Sequence, residues 1–152
     1  MYISTKVFDG FSCVFRQWKA EETHCRFLHG YGVSFKIWFQ GELDERNWVW
    51  DFGGMKRAKS KIEGMSPKEW MDYMFDHTFI VAEDDPFIES FKRMDGAGVA
   101  QVRVVPATGA ERFAEYIYNK INKFVQEETD GRVKVMKVEF MEHGKNSAIY
   151  AK

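Results

Sequence analysis

The chain has 152 residues and a mass of 17.9 kDa, the size of one domain (residues 1–152) rather than two. Its 22 Lys and Arg balance 23 Asp and Glu to a net charge of −1, which argues against a strongly basic nucleic-acid binder. A hydrophobic content of 45% and an aromatic content of 16% exclude a disordered chain and imply a packed core, a large subunit interface, or both.

The elements read as follows in chain order. Tyr2 to Phe15 is predicted as a strand, bent near Asp9-Gly10, where a glycine within a strand pattern marks a bulge. Lys19 to His24 has loop character. Gly32 to Glu42 alternates Val33, Phe35, Ile37 and Phe39 with polar neighbours, the pattern of a half-buried strand. Gly41 to Asn47 reads as a turn and Trp48 to Trp50 as a short antiparallel return strand. Phe52 to Ile62 is a weak helix, burdened by Gly53-Gly54. Ser66, Pro67 and Glu69 open a second helix running to Phe75, with Ser66 as cap and Glu69 completing a capping box. Asp84, Asp85 and Pro86 mark a turn, Phe87 to Met94 a short helix and Val99 to Val105 a strand. Thr108 and Glu111 read as a capping box for the strongest helix, whose Phe113, Ala114, Ile117, Ile121, Phe124 and Val125 recur at helical spacing. Asp130-Gly131 is a turn, and Val133 to Met141 and Ser147 to Ala151 are strands. The expected class is α+β, with helices on one face of an antiparallel sheet whose edges invite closure by oligomerisation.

Two cysteines, Cys13 and Cys25, are too few for a disulfide framework and point to a reducing, cytoplasmic compartment. The N-terminal residues lack the apolar core of a signal peptide. No apolar run reaches the roughly 18–20 residues of a membrane span, so no membrane partner is expected.

Four strings carry candidate chemistry. Cys25 stands beside His24 and Arg26, and His29 follows; neighbouring cations favour a thiolate base or nucleophile, and a buried free cysteine is the plainer reading. Asp76-His77 offers a carboxylate to fix a histidine tautomer, although adjacent side chains usually point apart. Glu142, at the end of a strand, suits two hydrogen bonds from an amidine-like edge such as that of a pterin or guanine; alone it reads as a strand-end charge. Thr108 and Glu111 are explained by helix capping.

Together and in this order, these strings resemble the family of 6-pyruvoyltetrahydropterin and 6-carboxytetrahydropterin synthases. The matching residues are Phe11-Ser12-Cys13-Val14-Phe15, Cys25-Arg26-Phe27-Leu28-His29-Gly30-Tyr31, Trp48-Val49-Trp50-Asp51-Phe52 with Lys56, Asp76-His77, Thr108 with Glu111, and Glu142 through Tyr150. The resemblance covers nearly the whole chain. It implies the tunnelling fold (T-fold), a four-stranded antiparallel sheet with two main helices on one face, closed into a barrel in trimer-based hexamers or tetramers with sites between subunits. It further implies a lyase acting on 7,8-dihydroneopterin triphosphate or a related dihydropterin. In such enzymes a zinc ion held by three histidines polarises the substrate side chain. By the resemblance Cys25 is the base, Asp76 and His77 the proton relay, Glu142 the pterin anchor, and Thr108 and Tyr31 substrate-binding residues.

The zinc motif departs from the family. His29 matches its first histidine, but Tyr31 and Phe15 stand at the other two ligand positions. No cofactor is therefore expected, although the family implies zinc. Three readings remain open: a pterin lyase working without zinc, for which the aldol cleavage of dihydroneopterin aldolase is a fold-level analogy; a non-catalytic pterin- or purine-binding paralogue; and a zinc enzyme with a site rebuilt from Cys13, His24 and His29. Arg16, Lys19, Arg26, Lys56 and Arg57 are candidates for holding a triphosphate, or ordinary solvated charges.

Overall fold

The computed structural model describes residues Met1–Lys152 and is built around one six-stranded sheet. Its strands are β1 (Tyr2–Phe15), β2 (His29–Gly41), β3 (Thr78–Ala82), β4 (Val102–Val105), β5 (Val133–His143) and β6 (Asn146–Ala151), in the order β4-β3-β1-β2-β5-β6. The helices are α1 (Pro67–Phe75), α2 (Ile88–Gly96) and α3 (Ala110–Glu128).

The expected four-stranded antiparallel sheet is present as the contiguous block β1-β2-β5-β6. Two further strands extend it, β3 and β4, which run parallel to β1 and to each other. Strand β3 is fully buried along its length. It therefore lacks the alternation by which a half-exposed strand is recognised, and its Thr-Phe-Ile-Val-Ala run carries no period-2 signal.

Strand β1 slips register between Phe8 and Phe11, at the predicted bend, with Gly10 at φ 82°. The bulge inserts an extra residue and returns Phe11, Cys13 and Phe15 to the face already occupied by Phe8. That face meets Val33, Phe35, Ile37 and Phe39 of β2 and Val133, Val135, Val138 and Phe140 of β5. Helix α3 covers it with Phe113, Ala114, Ile117, Ile121, Phe124 and Val125, and α1 with Trp70, Met71, Met74 and Phe75. Phe35 is fully buried at the centre, its ring 5.3 Å from Phe11, 5.6 Å from Phe8 and 5.7 Å from Phe75. Helix α2 packs on the opposite face of β3, with Phe91 set 4.7 Å from Phe79.

Several local expectations are corrected. Trp48 to Trp50 forms no strand, because β5 takes the place beside β2 that it would need. Asp44 instead gathers this loop, accepting hydrogen bonds from the Arg46 and Trp48 amides at 2.8 and 3.1 Å. The Phe52 to Ile62 helix shrinks to a 3-10 turn over Phe52–Met55, capped by Asp51, as the glycine pair predicts. Ser66 does cap α1, its hydroxyl accepting from the Glu69 amide. The Thr108–Glu111 box does not form. Helix α3 starts after Gly109, whose φ of 113° suits only glycine and whose missing Cβ would meet Gln17 Oε1 at 3.1 Å. Thr108 instead donates from its hydroxyl to the Arg16 carbonyl at 2.6 Å, tying the end of β1 to the start of α3.

Truncating the central ring tests this core. Phe35→Ala is expected to cost about 3–5 kcal/mol, read as a lowered urea midpoint at unchanged m-value. A loss below about 1 kcal/mol would contradict its central place.

Candidate functional site

The site forms where the end of β1 meets the start of β2. There the register sets Cys13 opposite Tyr31 and Phe15 opposite His29. Alternation then points all four toward the helix-covered face. The Phe15 ring stacks on Tyr31 at 4.1 Å and 12°, and Tyr31 lies 4.2 Å from the His29 ring. Phe113 of α3 closes the stack edge-on against Phe15 at 4.8 Å. Three rings thus occupy the positions that the resemblance assigns to three histidines.

This donor set does not fit zinc. Phenylalanine offers no lone pair, and His29 places Nδ1 3.2 Å from the Phe27 carbonyl, leaving one imidazole nitrogen. Burial foremost, then the negative charge of Glu142, pushes the Tyr31 hydroxyl up to about 12, and a neutral phenol is a poor zinc ligand. No group of three or more His, Cys, Asp or Glu in the chain is placed to hold a metal ion. Cys13, His24 and His29 therefore do not assemble into the rebuilt site: His24 turns toward Phe27, at 6.4 Å, and burial, then the charge of Asp76, raises the Cys13 thiol to about 12. A thiol so held is an inert part of the core.

Cys25 sits in a 3-10 turn, His24–Arg26. Thr23 accepts from its amide at 3.2 Å, and Gln17 donates to its carbonyl at 2.8 Å. Arg26 does not turn to the thiol. Its guanidinium donates to the Glu21 carbonyl and covers the Phe27 ring at 4.5 Å.

Asp76 and His77 do meet within one subunit, with Nδ1 3.2 Å from Oδ2. The reason lies in the backbone. His77 has φ 55°, a left-handed conformation that brings its side chain back beside its neighbour's. Ser12 locks the pair at two points. Its amide donates to Asp76 Oδ1 at 3.2 Å, and its carbonyl accepts from the His77 amide at 2.6 Å. Gln101 Nε2 donates to the His77 carbonyl at 3.0 Å. The sequence carries no signal for Gln101, which is brought in by β4 pairing with β3. His77 lines a hollow of about 350 Å³ with Cys13, Leu28, Met94, Val99 and Gln101.

Glu142 occupies an irregularity in β5, where pairing with β6 slips between Met141 and His143. It faces a second hollow, of about 480 Å³, bordered by Gln17, Glu111, Lys145 and Ser147. Thr108 is not among its walls.

The basic candidates are mostly engaged. Arg16 forms a two-pronged ion pair with the buried Asp85, at 2.7 and 2.8 Å, and donates to the Arg26 carbonyl. Lys19 pairs with Asp84 at 3.3 Å and Arg57 with Asp51 at 3.1 Å. Lys56 lies elsewhere, in a groove with Lys6 and Lys68.

This sheet with its helices has the architecture of the tunnelling fold. A Plasmodium vivax 6-pyruvoyl tetrahydropterin synthase superposes with a TM-score of 0.66 at 17% identity over 100% of this chain and 99% of that one. An uncharacterised protein from Wolinella succinogenes superposes with a TM-score of 0.78 at 23% identity, over 99% and 98%. The family model of 6-pyruvoyl tetrahydropterin synthase matches residues 4–152, and the chain belongs to that family. A 6-carboxy-5,6,7,8-tetrahydropterin synthase from Rickettsia typhi is 30% identical over 99 residues, which span 64% of this chain and 64% of that relative. No helix is long and apolar enough to cross a membrane.

Two measurements test the site. The double variant Phe15→His with Tyr31→His is expected to purify with about one zinc per chain, and the parent with far less, by elemental mass spectrometry. Stoichiometric zinc in the parent would overturn the poor fit. The raised Tyr31 hydroxyl makes a separate prediction. Its neutral form is favoured in the folded state, so its contribution to stability is complete below the unfolded tyrosine value of about 10 and is lost as pH rises through about 12. In Tyr31→Phe, the fall in stability above pH ~10 is expected to be shallower than in the parent.

Proposed function

We propose that this chain binds a dihydropterin and moves protons on its C6 side chain without a bound zinc ion. The observation that carries this reading is the Asp76–His77 pair, joined within one subunit at 3.2 Å and fixed by the Ser12 backbone, in a chain that belongs to the pterin synthase family. Glu142 accepts hydrogen bonds from the ring N–H and amino group. Cys25 takes a proton from the side chain, and the Asp76–His77 pair carries it onward. Tyr31, neutral at working pH, donates to a side-chain hydroxyl. Family membership and the named 6-carboxytetrahydropterin synthase relative support a lyase-type activity.

The substrate in this reading is 7,8-dihydroneopterin triphosphate or a related dihydropterin. The working form is a homo-oligomer, trimer-based or tetrameric, in which the sheet edges β4 and β6 find partners. Two unbridged cysteines favour the cytoplasm as its compartment. A second reading, pterin binding without chemistry, is favoured by the ring stack that fills the metal positions.

The test follows dihydropterin consumption chromatographically, with and without a chelator. Turnover is expected to survive chelation. Cys25→Ala and His77→Ala are each expected to lower kcat by about 100-fold or more, while Glu142→Gln mainly weakens binding. Turnover unchanged in both Cys25→Ala and His77→Ala would sink the mechanism. Binding that depends on Glu142 without any turnover would select the second reading.

A further inference from the structure

Parallel pairing brings the C-terminal ends of two strands together. Strand β3 runs beside β1, with Thr78 opposite Cys13 and Phe79 opposite Val14. The turn that follows β3 therefore lies beside the segment that leaves β1 for the Cys25 loop. Its Asp85 is buried, 3% exposed, and the carboxylate accepts from Arg16 Nε at 2.8 Å, Arg16 Nη2 at 2.7 Å and the Phe87 amide at 2.9 Å. This two-pronged contact fixes the plane of the guanidinium. It leaves the remaining nitrogen, Nη1, turned to the Arg26 carbonyl at 3.3 Å.

The backbone next to this side chain grips the same loop. The peptide unit joining Arg16 to Gln17 accepts from the Thr108 hydroxyl at its carbonyl, at 2.6 Å, and donates from its amide to the Cys25 carbonyl, at 2.8 Å. Two successive carbonyls of the loop, those of Cys25 and Arg26, are thus held by two successive residues at the end of β1. Thr23 accepts from the Cys25 amide on the other side. Within the loop these ties all end on backbone atoms, so they fix the place of the thiol without consuming it.

We propose that Arg16, Asp85 and Thr108 are positioning residues that set where the Cys25 thiol stands. They act through the Arg26 and Cys25 carbonyls and touch no reacting atom. The proposal rests on the reading in which Cys25 takes a proton from a dihydropterin, and it gives Thr108 a place in this clamp instead of one on the ligand. Arginine is required at position 16 because its guanidinium spans Asp85 and Arg26 at once, where lysine offers a single ammonium. Displacing a reacting group by about 1 Å costs up to about 100-fold in rate.

Two thiols of different depth give the test an internal control. Cys13 is buried, 2% exposed, and reports on the core, whereas the half-buried Cys25 reports on the loop. The full chain is labelled with iodoacetamide and read by peptide mass spectrometry, beside steady-state kinetics on 7,8-dihydroneopterin triphosphate. In Arg16→Lys, Asp85→Asn and Thr108→Val, Cys25 is expected to label at least about fivefold faster than in the parent while Cys13 stays protected. In the same variants kcat is expected to fall about 10–100-fold with KM within about twofold. The double variant of Arg16→Lys with Asp85→Asn is expected to match the more affected single one, because both act through one contact. Cys25 labelling within about twofold of the parent in Arg16→Lys and Asp85→Asn overturns the proposal. Cys13 labelling that rises in step with Cys25 also overturns it, since the pair then supports the whole fold. A raised KM at unchanged kcat in Thr108→Val removes Thr108 from the clamp. Labelling as expected, with no turnover by the parent, overturns the pterin reading and leaves the clamp standing.

Discussion

The structure depends on the register between β1 and β2. These two long strands pair from Tyr2 opposite Gly41 to Phe15 opposite His29, and the pairing is reset once, by the bulge at Asp9 and Gly10. Without that reset the outer half of β1 would turn Phe11, Cys13 and Phe15 away from the helices, because a one-residue shift exchanges the two faces of a strand. With it, the same strand supplies Phe8 and Phe11 to the core beside Phe35 and Phe15 to the site beside Tyr31. Core and site are therefore continuous, linked through Phe113, which touches Phe15, Phe75 and Phe140.

That continuity also ties together the ends of β1 and β2, at the positions the family resemblance gives to metal ligands. A structural or catalytic ion would hold the ends of β1 and β2 together by bonds to side chains on both. Here offset stacking between Phe15 and Tyr31 and contact between Tyr31 and His29 span the same strands, at roughly 0.5–1.5 kcal/mol per aromatic pair beyond burial. The Arg16–Asp85 ion pair adds a second tie. It fastens the end of β1 to the turn after β3, while Arg16 also holds the Arg26 carbonyl in the Cys25 loop. The Cys25 loop is thus positioned through an ion pair whose carboxylate is buried.

Much of this was legible in the sequence. Alternation located β2, the Asp9-Gly10 pair located the bulge, and helical spacing located α3 and its buried stripe. The order of the Cys25, Asp76-His77 and Glu142 strings was enough to indicate the family. Other features were not legible, for identifiable reasons. Strand β3 is buried on both faces and has no alternation. Trp48 to Trp50 has strand-like residues, but β5 fills its place in the ladder. Thr108 and Glu111 have capping spacing, yet Gly109 intervenes and Thr108 is drawn to Arg16.

The sequence by itself determined the residue types at the candidate site: a histidine, a tyrosine and a phenylalanine where the family resemblance implies three imidazoles, together with a cysteine, an Asp-His pair and a glutamate. Side-chain chemistry is a local property, and no fold can give phenylalanine a lone pair. The tertiary structure decided what those residues do to one another. It took the left-handed turn at His77 to join Asp76 to its neighbour, the parallel strands β3 and β4 to bring Gln101 against that pair, and the β1–β2 register to stack Phe15 on Tyr31. Distances and desolvation arise only between elements far apart in the chain, so the charge around the site became readable only once the sheet had been assembled.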